Sequence, residues 1–391
     1  MAGGARTEPA AKWFAGLMSG TSLDGVDAVL ARFEDLAPES DAAHAVVADE
    51  TVAVGALHHH HLPFPAALRA ELLALQQAGG HDELARAARA SIGLSRHCAA
   101  TLAPLLEATG ISPSDISALG AHGQTVRHRP EDGYTVQLLD GALLAELTGT
   151  AVVCDFRSAD VAAGGQGAPL VPAFHAALLG TATPRVVVNI GGMANLTLLH
   201  SQQPVSGFDC GPGNVLLDAW IGHCLGRPLD ADGAWSASGC VQSPLLEQML
   251  AHPFLAKAPP KSCGREAFDL HWLLSLALDA YAPADVQATL AEFTARSIAL
   301  AIGQHAPATR AVLICGGGAR NPDLLGRLRT ALANCTVDTT SAIGLDPMHV
   351  EAAAFAWLAK RRLEGRPGNL PVVTGAHGLR VLGAVYPAPP A

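Results

Sequence analysis

The segment Trp13–Phe33, WFAGLMSGTSLDGVDAVLARF, predicts a β-strand, a tight turn rich in Gly, Ser, Thr and Asp, and a second strand with alternating apolar residues. A later segment, Val186–Leu199 (VVVNIGGMANLTLL), repeats the same plan around a Gly-Gly turn. The two hairpins lie about 170 residues apart. This repetition favours a duplicated scaffold with one hairpin in each of two lobes.

Length and composition also indicate a two-lobed globular protein. The chain has 391 residues, more than one hydrophobic core usually serves. Hydrophobic residues make up 49% and charged residues 15%, which excludes disorder and a coiled coil. Helical periodicity over 65–77 and 82–108 precedes a short apolar strand at 116–121, and a last helix is predicted at 349–364. Alternating helices and strands predict an α/β fold.

Charge and cysteine usage limit the classes of partner. The net charge is −10, and no block of Lys and Arg is present to bind a phosphate backbone, so we expect no nucleic-acid partner. No secretory signal or membrane-spanning stretch is evident, so we expect a cytoplasmic protein without membrane contact. The 8 cysteines occur singly, without a C-x-x-C pair, which argues against a zinc cluster or a disulfide scaffold.

The usual lysine-containing phosphate loop is missing. No Gly-Lys pair exists, and no complete G-x-G-x-x-G follows a strand. The glycine-rich turns can nevertheless present backbone N–H groups to a phosphate, and Asp24 in the first turn supplies a carboxylate suited to hydrated Mg²⁺. For the first turn alone, an ordinary hairpin explains the residues equally well.

Two further loops favour a ligand site. Gly316–Gly318 stands between a buried strand and a helix, where residues without side chains let a ring or a phosphate approach. Asp209, in the sequence GFDCGPGN (207–214), is flanked by glycines and a proline. We expect a stiff turn that orients Asp209 as a general base, although it could merely cap the turn.

These motifs together resemble the anhydro-N-acetylmuramic acid kinase family, and they occur in the family's order over nearly the whole chain. The matching segments are GLMSGTSLDGVD (16–27), HGQT (122–125), DFR (155–157), GGQGAPLVP (164–172), NIGG (189–192), GFDCGPGN (207–214) and CGGGA (315–319).

The resemblance implies a two-lobed actin-like (ribonuclease H-like) ATPase fold with ATP, Mg²⁺ and an amino sugar in the cleft. It implies that water opens the 1,6-anhydro ring of anhydro-N-acetylmuramic acid while O6 receives the γ-phosphoryl group of ATP. The product would be N-acetylmuramic acid 6-phosphate, for peptidoglycan recycling. Asp209 matches the catalytic base, and Asp24 is the metal candidate.

The remaining site residues also follow from the resemblance. The nucleotide-binding candidates are Gly20, Thr21, Ser22, Leu23, Asp24, Gly25, Val26, Asp27, Gly191, Gly192, Asn195, Gly211, Gly213, Asn214, Gly316, Gly317 and Gly318. The sugar-binding candidates are His122, Gln124, Arg157 and Glu351. Arg157 is the natural partner of the lactyl carboxylate.

The expected lobes are residues 1–155 with 371–391 and residues 156–370, and we expect a homodimer, although the residues leave the oligomeric state open. An ordinary hexose kinase and an actin- or chaperone-like ATPase are the alternative functions. The run His58–His61 is interpreted as a solvated loop before Pro63, with metal binding as the less favoured alternative.

Overall fold

The computed structural model describes residues 12–20, 23–36, 51–200, 203–262 and 267–390. Two large β-sheets form its framework, and a two-stranded hairpin lies beside them. The strands are β1 (Trp13–Met18), β2 (Gly25–Leu36), β3 (Thr51–Pro63), β4 (Ile116–Ala121), β5 (Gln124–Arg129), β6 (Tyr134–Leu138), β7 (Val152–Cys154), β8 (Arg185–Ile190), β9 (Met193–Leu199), β10 (Ser206–Pro212), β11 (Ala311–Cys315), β12 (Thr336–Thr339) and β13 (Ala384–Tyr386).

Apart from the edge strand β13, which pairs antiparallel with β7 in the first sheet, the two sheets share one topology. The first has the strand order β13-β7-β4-β1-β2-β3, and the second has the order β10-β9-β8-β11-β12. In the first sheet, β1, β2 and β3 are antiparallel neighbours, and β4 and β7 run parallel to β1. In the second sheet, β8, β9 and β10 are antiparallel neighbours, and β11 and β12 run parallel to β8. This is the ribonuclease H-like topology. The expected two-lobed α/β fold, with one glycine-turn hairpin in each lobe, is confirmed.

Helices cover the faces of both sheets. No helix within the described ranges is long and apolar enough to cross a membrane. The helices are α1 (Ala66–Leu75), α2 (Glu83–Thr109), α3 (Gly141–Thr148), α4 (Ser158–Ala162), α5 (Val171–Leu179), α6 (Val215–Leu225), α7 (Ala234–Ser238), α8 (Ser243–Leu250), α9 (Leu270–Leu274), α10 (Pro283–His305), α11 (Pro322–Ala331), α12 (Val350–Leu363) and α13 (Pro371–Thr374).

The buried helix α12 packs on the first sheet. A Cβ atom at Gly16 in β1 would overlap the Ala352 carbonyl, and one at Gly120 in β4 would overlap the Phe355 carbonyl. Glycine at these two positions therefore lets the helix backbone contact the strand backbone directly. The same apolar cluster includes Val187 of the second sheet, so α12 lies between the lobes. The lobe boundaries given above stay a prediction, and this packing argues for assigning α12 to the first lobe.

The histidine run is not a loop. His58–His61 belongs to the edge strand β3, which pairs antiparallel with β2 in a register that sets His61 opposite Asp27. Because side chains alternate along a strand, His59 and His61 face the α12 side of the sheet, while His58 and His60 face the α2 side. The loop interpretation was wrong because four polar residues show no apolar alternation, whereas pairing with β2 satisfies the backbone of this segment.

Candidate active site between the two sheets

A row of polar side chains crosses the second sheet. Asn189 in β8 is paired with Asn195 in β9, and Asn195 is paired with Asp209 in β10. Residues directly opposite each other point to the same face, and neighbouring strands are about 4.8 Å apart, so the row spans about 10 Å. Its face is the one that carries Val187 towards α12. Asp209 therefore faces the other lobe.

Asp209 lies in a strand rather than on the expected turn. The register of β10 against β9 shifts between Asp209 and Gly211, so Cys210 is an extra residue that forms a β-bulge. A bulge bends the strand and redirects the side chains beside it. The backbone N–H of Asp209 donates to the Lys261 carbonyl at 3.1 Å, which supports this irregular edge. Asp209 thus gains the rigid mounting expected of a general base by a different structural route.

Three glycine-containing segments converge next to this row. The backbone N–H of Gly213 donates to the Gly192 carbonyl at 2.9 Å, and that of Asn214 donates to the Gly191 carbonyl at 2.8 Å. Gly317 completes the group, since a Cβ placed on it would lie 3.5 Å from Nδ2 of Asn214. The structure therefore brings the turn of the second hairpin, the end of β10 and the third glycine turn together.

Close packing requires two of the three glycines in the third turn, whereas the remaining glycine has space around it. A Cβ at Gly316, where φ is +78°, would overlap Oδ1 of Asn189, and a Cβ at Gly318 would overlap the Ile190 side chain. Gly317 meets only ordinary contact distances. Two of these glycines are therefore required by β8 itself, so their cost does not by itself indicate a ligand.

The ends of β1 and β4 place polar side chains on the opposite side of the cleft. The hydroxyl of Ser19 donates to Oε1 of Gln124, and both side chains are buried. The backbone N–H of His122 donates to the Leu17 carbonyl at 3.0 Å. Parallel strands end at the same edge of a sheet, which explains why residues about 100 positions apart meet here.

The buried His122 and the partly buried Arg157 form a hydrogen-bonded pair. Nδ1 of His122 donates to the Gly123 carbonyl at 2.8 Å, so Nε2 carries the lone pair that accepts Nε–H and Nη2–H of Arg157, at 3.2 and 2.8 Å. Burial, and next the charge of Arg157, lowers the pKa of His122 to about 3. Burial also lowers the pKa of Arg157 to about 10. At neutral pH the imidazole is therefore uncharged and the guanidinium charged.

Glu351 connects the two sides of the cleft. It lies in the first turn of α12, and its Oε1 accepts a hydrogen bond from Nδ2 of Asn189 at 3.3 Å. Burial raises the pKa of the Glu351 carboxyl, while the Asn189 amide and then the Arg157 charge oppose this shift. Oδ1 of Asn189 is buried without a hydrogen-bond partner among the described residues. The polar row, Glu351 and Arg157 thus form one continuous region.

The first hairpin lies near Glu351, since, besides burial, the charge of Asp27 raises the pKa of the Glu351 carboxyl. Leu23 has φ +53°, and its side chain and that of Val26 are buried in the first-lobe core, so only their backbone could face a ligand. Asp24 is exposed, and Asp27 accepts hydrogen bonds from His59 and His61 at 2.8 and 3.1 Å. The candidates Thr21 and Ser22 lie outside the described residues.

A metal ion would not find a ready-made cage here. Within the described ranges, no three His, Cys, Asp or Glu side chains are grouped so that they could hold one. Mg²⁺ is commonly bound through one or two carboxylates together with substrate phosphates and water. The exposed carboxylate of Asp24 fits such a minimal donor set.

A ribonuclease H-like sheet in each lobe, with carboxylates, an arginine and glycine turns meeting between them, is typical of two-lobed ATP-dependent kinases of the actin-like class. The profile of the anhydro-N-acetylmuramic acid kinase family matches residues 12–388. The chain belongs to this family, which confirms the resemblance inferred from the motifs and the expectation that it is a kinase of this type.

Relatives that carry this family's name match along almost their whole length. The anhydro-N-acetylmuramic acid kinase of Bordetella pertussis is 53% identical over 390 residues, covering 98% of each chain. That of Pseudomonas putida is 51% identical over 378 residues, covering 96% of this chain and 99% of the relative. Among solved structures, the activator of the 2-hydroxyisocaproyl-CoA dehydratase from Clostridium difficile with bound ADPNP matches at 13% identity and TM-score 0.43, covering 90% of this chain and 97% of that one.

Sequence reasoning missed three residues of the site. Asn189 contacts Glu351, Ser19 contacts Gln124, and the Lys261 carbonyl accepts the Asp209 N–H. A signal existed for Asn189, because it is a polar residue at the end of an otherwise apolar strand and directly precedes the Gly-Gly turn. No local signal marks Lys261, since it approaches β10 from a loop about 50 residues further along the chain.

Proposed function

We propose that the chain opens the 1,6-anhydro ring of 1,6-anhydro-N-acetylmuramic acid with water and transfers the γ-phosphoryl group of ATP to O6. The product is N-acetylmuramic acid 6-phosphate, as required for peptidoglycan recycling. The observation that carries this proposal, beside the family membership, is the row Asn189–Asn195–Asp209, whose first member contacts Glu351 at the start of α12.

Asp209 acts as the general base. A carboxylate on a strand that pairs with β9, and whose own backbone N–H is held by the Lys261 carbonyl, has little freedom to reorient, and a positioned base contributes about 10²- to 10⁴-fold to a rate. It takes a proton from the water that attacks the anomeric carbon. The bond from that carbon to O6 breaks, and the freed O6 attacks the γ-phosphorus of ATP, so that water and one phosphoryl group are added overall.

Arg157 binds the lactyl carboxylate of the sugar. Two of its five N–H groups point to His122, and Nη1 donates to the Gly167 carbonyl at 2.6 Å. In the part of the chain that the structure describes, no acceptor takes the last N–H on each terminal nitrogen. Two such groups match the two oxygens of a carboxylate. The neutral His122 holds the guanidinium in this orientation.

Gln124 and Glu351 bind the remaining polar groups of the sugar. Gln124 is almost completely buried, and its Oε1 accepts from Ser19, so its NH₂ group is oriented to donate to a carbonyl such as that of an N-acetyl group. Glu351 can accept from a sugar hydroxyl while Asn189 holds its other side. Glu351 also lies close enough to Arg157 for its charge to act on the guanidinium.

The glycine turns bind ATP. Gly191, Gly192, Gly211, Gly213, Asn214 and Gly316–Gly318 present closely spaced backbone with few side chains, which suits a polyphosphate. The first hairpin supports the same phosphates from the opposite lobe. Asp24 would hold Mg²⁺, which would supply positive charge next to the transferred phosphoryl group.

Location and assembly complete the proposal. We place the enzyme in the cytoplasm, where ATP is available and thiols stay reduced. The seven cysteines in the described part of the chain are all free, which suits such a compartment. The homodimer expected from the family resemblance stays a prediction, which light scattering at micromolar concentration would test.

The decisive experiment is mass analysis of the product formed from ATP and the anhydro sugar in ¹⁸O-labelled water. We expect a sugar phosphate that has gained both a phosphoryl group and one labelled oxygen. A phosphorylated sugar that keeps its bicyclic ring would favour the hexose-kinase alternative. ADP release without sugar phosphorylation would favour the ATPase alternative, and either outcome would overturn the proposal.

A further inference from the structure

Asp160, three residues after Arg157 in the chain, is completely buried. Asp160 in α4 has no exposed surface, and three neutral groups donate to its carboxylate. Oδ1 accepts from Nδ2 of Asn369 at 2.7 Å and from the hydroxyl of Thr374 at 2.8 Å, while Oδ2 accepts from the Gly167 N–H at 2.8 Å. Burying a carboxylate in this way is costly unless its hydrogen bonds are fully used.

Asp160 fixes the loop that holds Arg157. Gly167 has φ +65°, its N–H donates to Asp160, and its carbonyl accepts from Nη1 of Arg157 at 2.6 Å. A Cβ at Gly165 would overlap Oδ2 of Asp160, so the loop is wrapped tightly around this carboxylate. The direction of the Gly167 carbonyl, and with it one side of the guanidinium, depends on Asp160.

The other two donors come from the distant C-terminal part of the chain. Asn369 and Thr374 lie more than 200 residues from Asp160 in sequence. The backbone also joins these segments, since the Gln166 N–H donates to the Thr374 carbonyl at 2.6 Å and the His377 N–H donates to the Ala163 carbonyl at 2.8 Å. The loop is therefore held between α4 and residues 369–377.

The charge of Asp160 also acts on Arg157. Burial lowers the pKa of Arg157, while the negative charges of Glu351 and then Asp160 act in the opposite direction. Asp160 achieves this without contacting the guanidinium, which leaves the terminal N–H groups available.

We propose that Asp160 is a positioning residue that sets the specificity of the sugar site for an acidic substrate, by orienting Arg157 through Gly167 and by balancing its charge. This proposal rests on the proposed function, in which Arg157 binds the lactyl carboxylate. Asp160 itself does not touch the substrate.

The test compares two sugars, the anhydro sugar with its lactyl carboxylate and the same bicyclic sugar without the lactyl group, by isothermal titration calorimetry. In Asp160→Asn we expect the Kd of the acidic sugar to rise about 10- to 100-fold, because a charge-assisted contact is misaligned. We expect the Kd of the sugar without the lactyl group, and that of ATP, to change less than about threefold.

The matched control is Asp155→Asn. Asp155 lies on the other flank of Arg157, is exposed, accepts hydrogen bonds from Ser158 and has φ +56°, a conformation that asparagine tolerates. Its substitution should leave both sugar affinities within about twofold. If Asp160→Asn does not fold, Thr374→Val removes one donor to Oδ1 and should weaken only the acidic sugar, by about three- to tenfold.

The outcomes separate the two proposals. An equal loss of affinity for both sugars, or no loss for either, in Asp160→Asn or in its substitute Thr374→Val would overturn the positioning role. Arg157→Gln tests the proposed function by itself, since it should abolish the preference for the acidic sugar. If Arg157→Gln weakens both sugars equally, the assignment of Arg157 fails whatever Asp160 does.

Discussion

The two sheets share the strand topology described above, yet different chemical groups line the two sides of the cleft. At the first sheet, side chains bond to one another, as in Ser19–Gln124 and His122–Arg157. At the second sheet, glycine turns bond through their backbones, as in Gly213 to Gly192. The first side therefore depends on which side chains are present, whereas the glycine turns of the second side, beside its polar row, depend on side chains being absent.

This difference matches the two ligands of the proposed reaction. A sugar offers hydroxyl, amide and carboxylate groups at fixed positions, which directional side chains distinguish. A triphosphate is bulky and densely charged, and backbone without side chains lets it approach closely. One topology, used twice, thus supports two kinds of recognition.

The largest expected effect separates chemistry from binding at the second sheet. In Asp209→Asn the amide keeps the shape of the side chain but cannot accept the water proton. We expect kcat to fall by about 10²- to 10⁴-fold, while the Kd for ATP stays within about twofold. Rapid-quench assays and calorimetry would measure the two quantities. Near-normal turnover would remove Asp209 from the role of base.

The glycine turn tests whether the absence of side chains matters at the second sheet. In Gly318→Ala the new Cβ would overlap Ile190, whereas in Gly317→Ala it would meet nothing closer than 3.5 Å. We expect Gly318→Ala to lower the free energy of unfolding by about 2 kcal/mol, and Gly317→Ala to lower it by less than about 0.5 kcal/mol. Urea unfolding measures both, and equal effects would contradict the packing argument.

Two buried histidines, His122 and His175 in α5, contribute to the response of stability to acid. Burial lowers the pKa values of His122 and His175 from 6.5 to about 3. The folded state thus keeps both neutral, and their contribution to stability is present above pH 6.5 and is lost as the pH falls towards 3. For each histidine, the free energy of unfolding should fall by about 2 kcal/mol between pH 6.5 and 5. Unfolding measured at several pH values should show a smaller slope for His122→Gln than for the wild type, and an unchanged slope would contradict this account.

The smallest expected effect concerns the side-chain pair at the end of β1 and β4. Ser19→Ala leaves Oε1 of the buried Gln124 without its donor. We expect a loss of stability of about 1 kcal/mol and a rise of a few-fold in KM for the sugar, with KM for ATP unchanged. Steady-state kinetics with each substrate varied in turn would measure this. A larger effect on ATP than on the sugar would reverse the assignment of the two sides.

Several parts of the fold and the site could be predicted from local patterns. The hairpins around Gly20 and Gly191, the long helix α2 and the last helix α12 follow from apolar periodicity and from their terminating glycines. The candidates His122, Arg157 and Glu351 came from the family resemblance, whereas Asp209 was also marked by the glycines and the proline beside it. These signals are local, because turn chemistry and amphipathic faces depend on near neighbours.

Other features could not be predicted because their cause lies far away in the chain. His58–His61 became a strand through pairing with β2, and Asp209 became a bulged strand residue through pairing with β9. Gly316 and Gly318 are required by Asn189 and Ile190, not by a visible turn signal.

The amino-acid order thus specified the elements, the paired lobes and the residue types that this chemistry needs, since helix, strand and turn preferences act over a few residues. Folding in three dimensions decided the rest. Glu351 meets Asn189 across 162 positions, and Asp160 meets Thr374 across 214. Contacts of this range form only when the sheets, α12 and the C-terminal segment pack together, because close packing, and not local preference, selects which distant groups become neighbours.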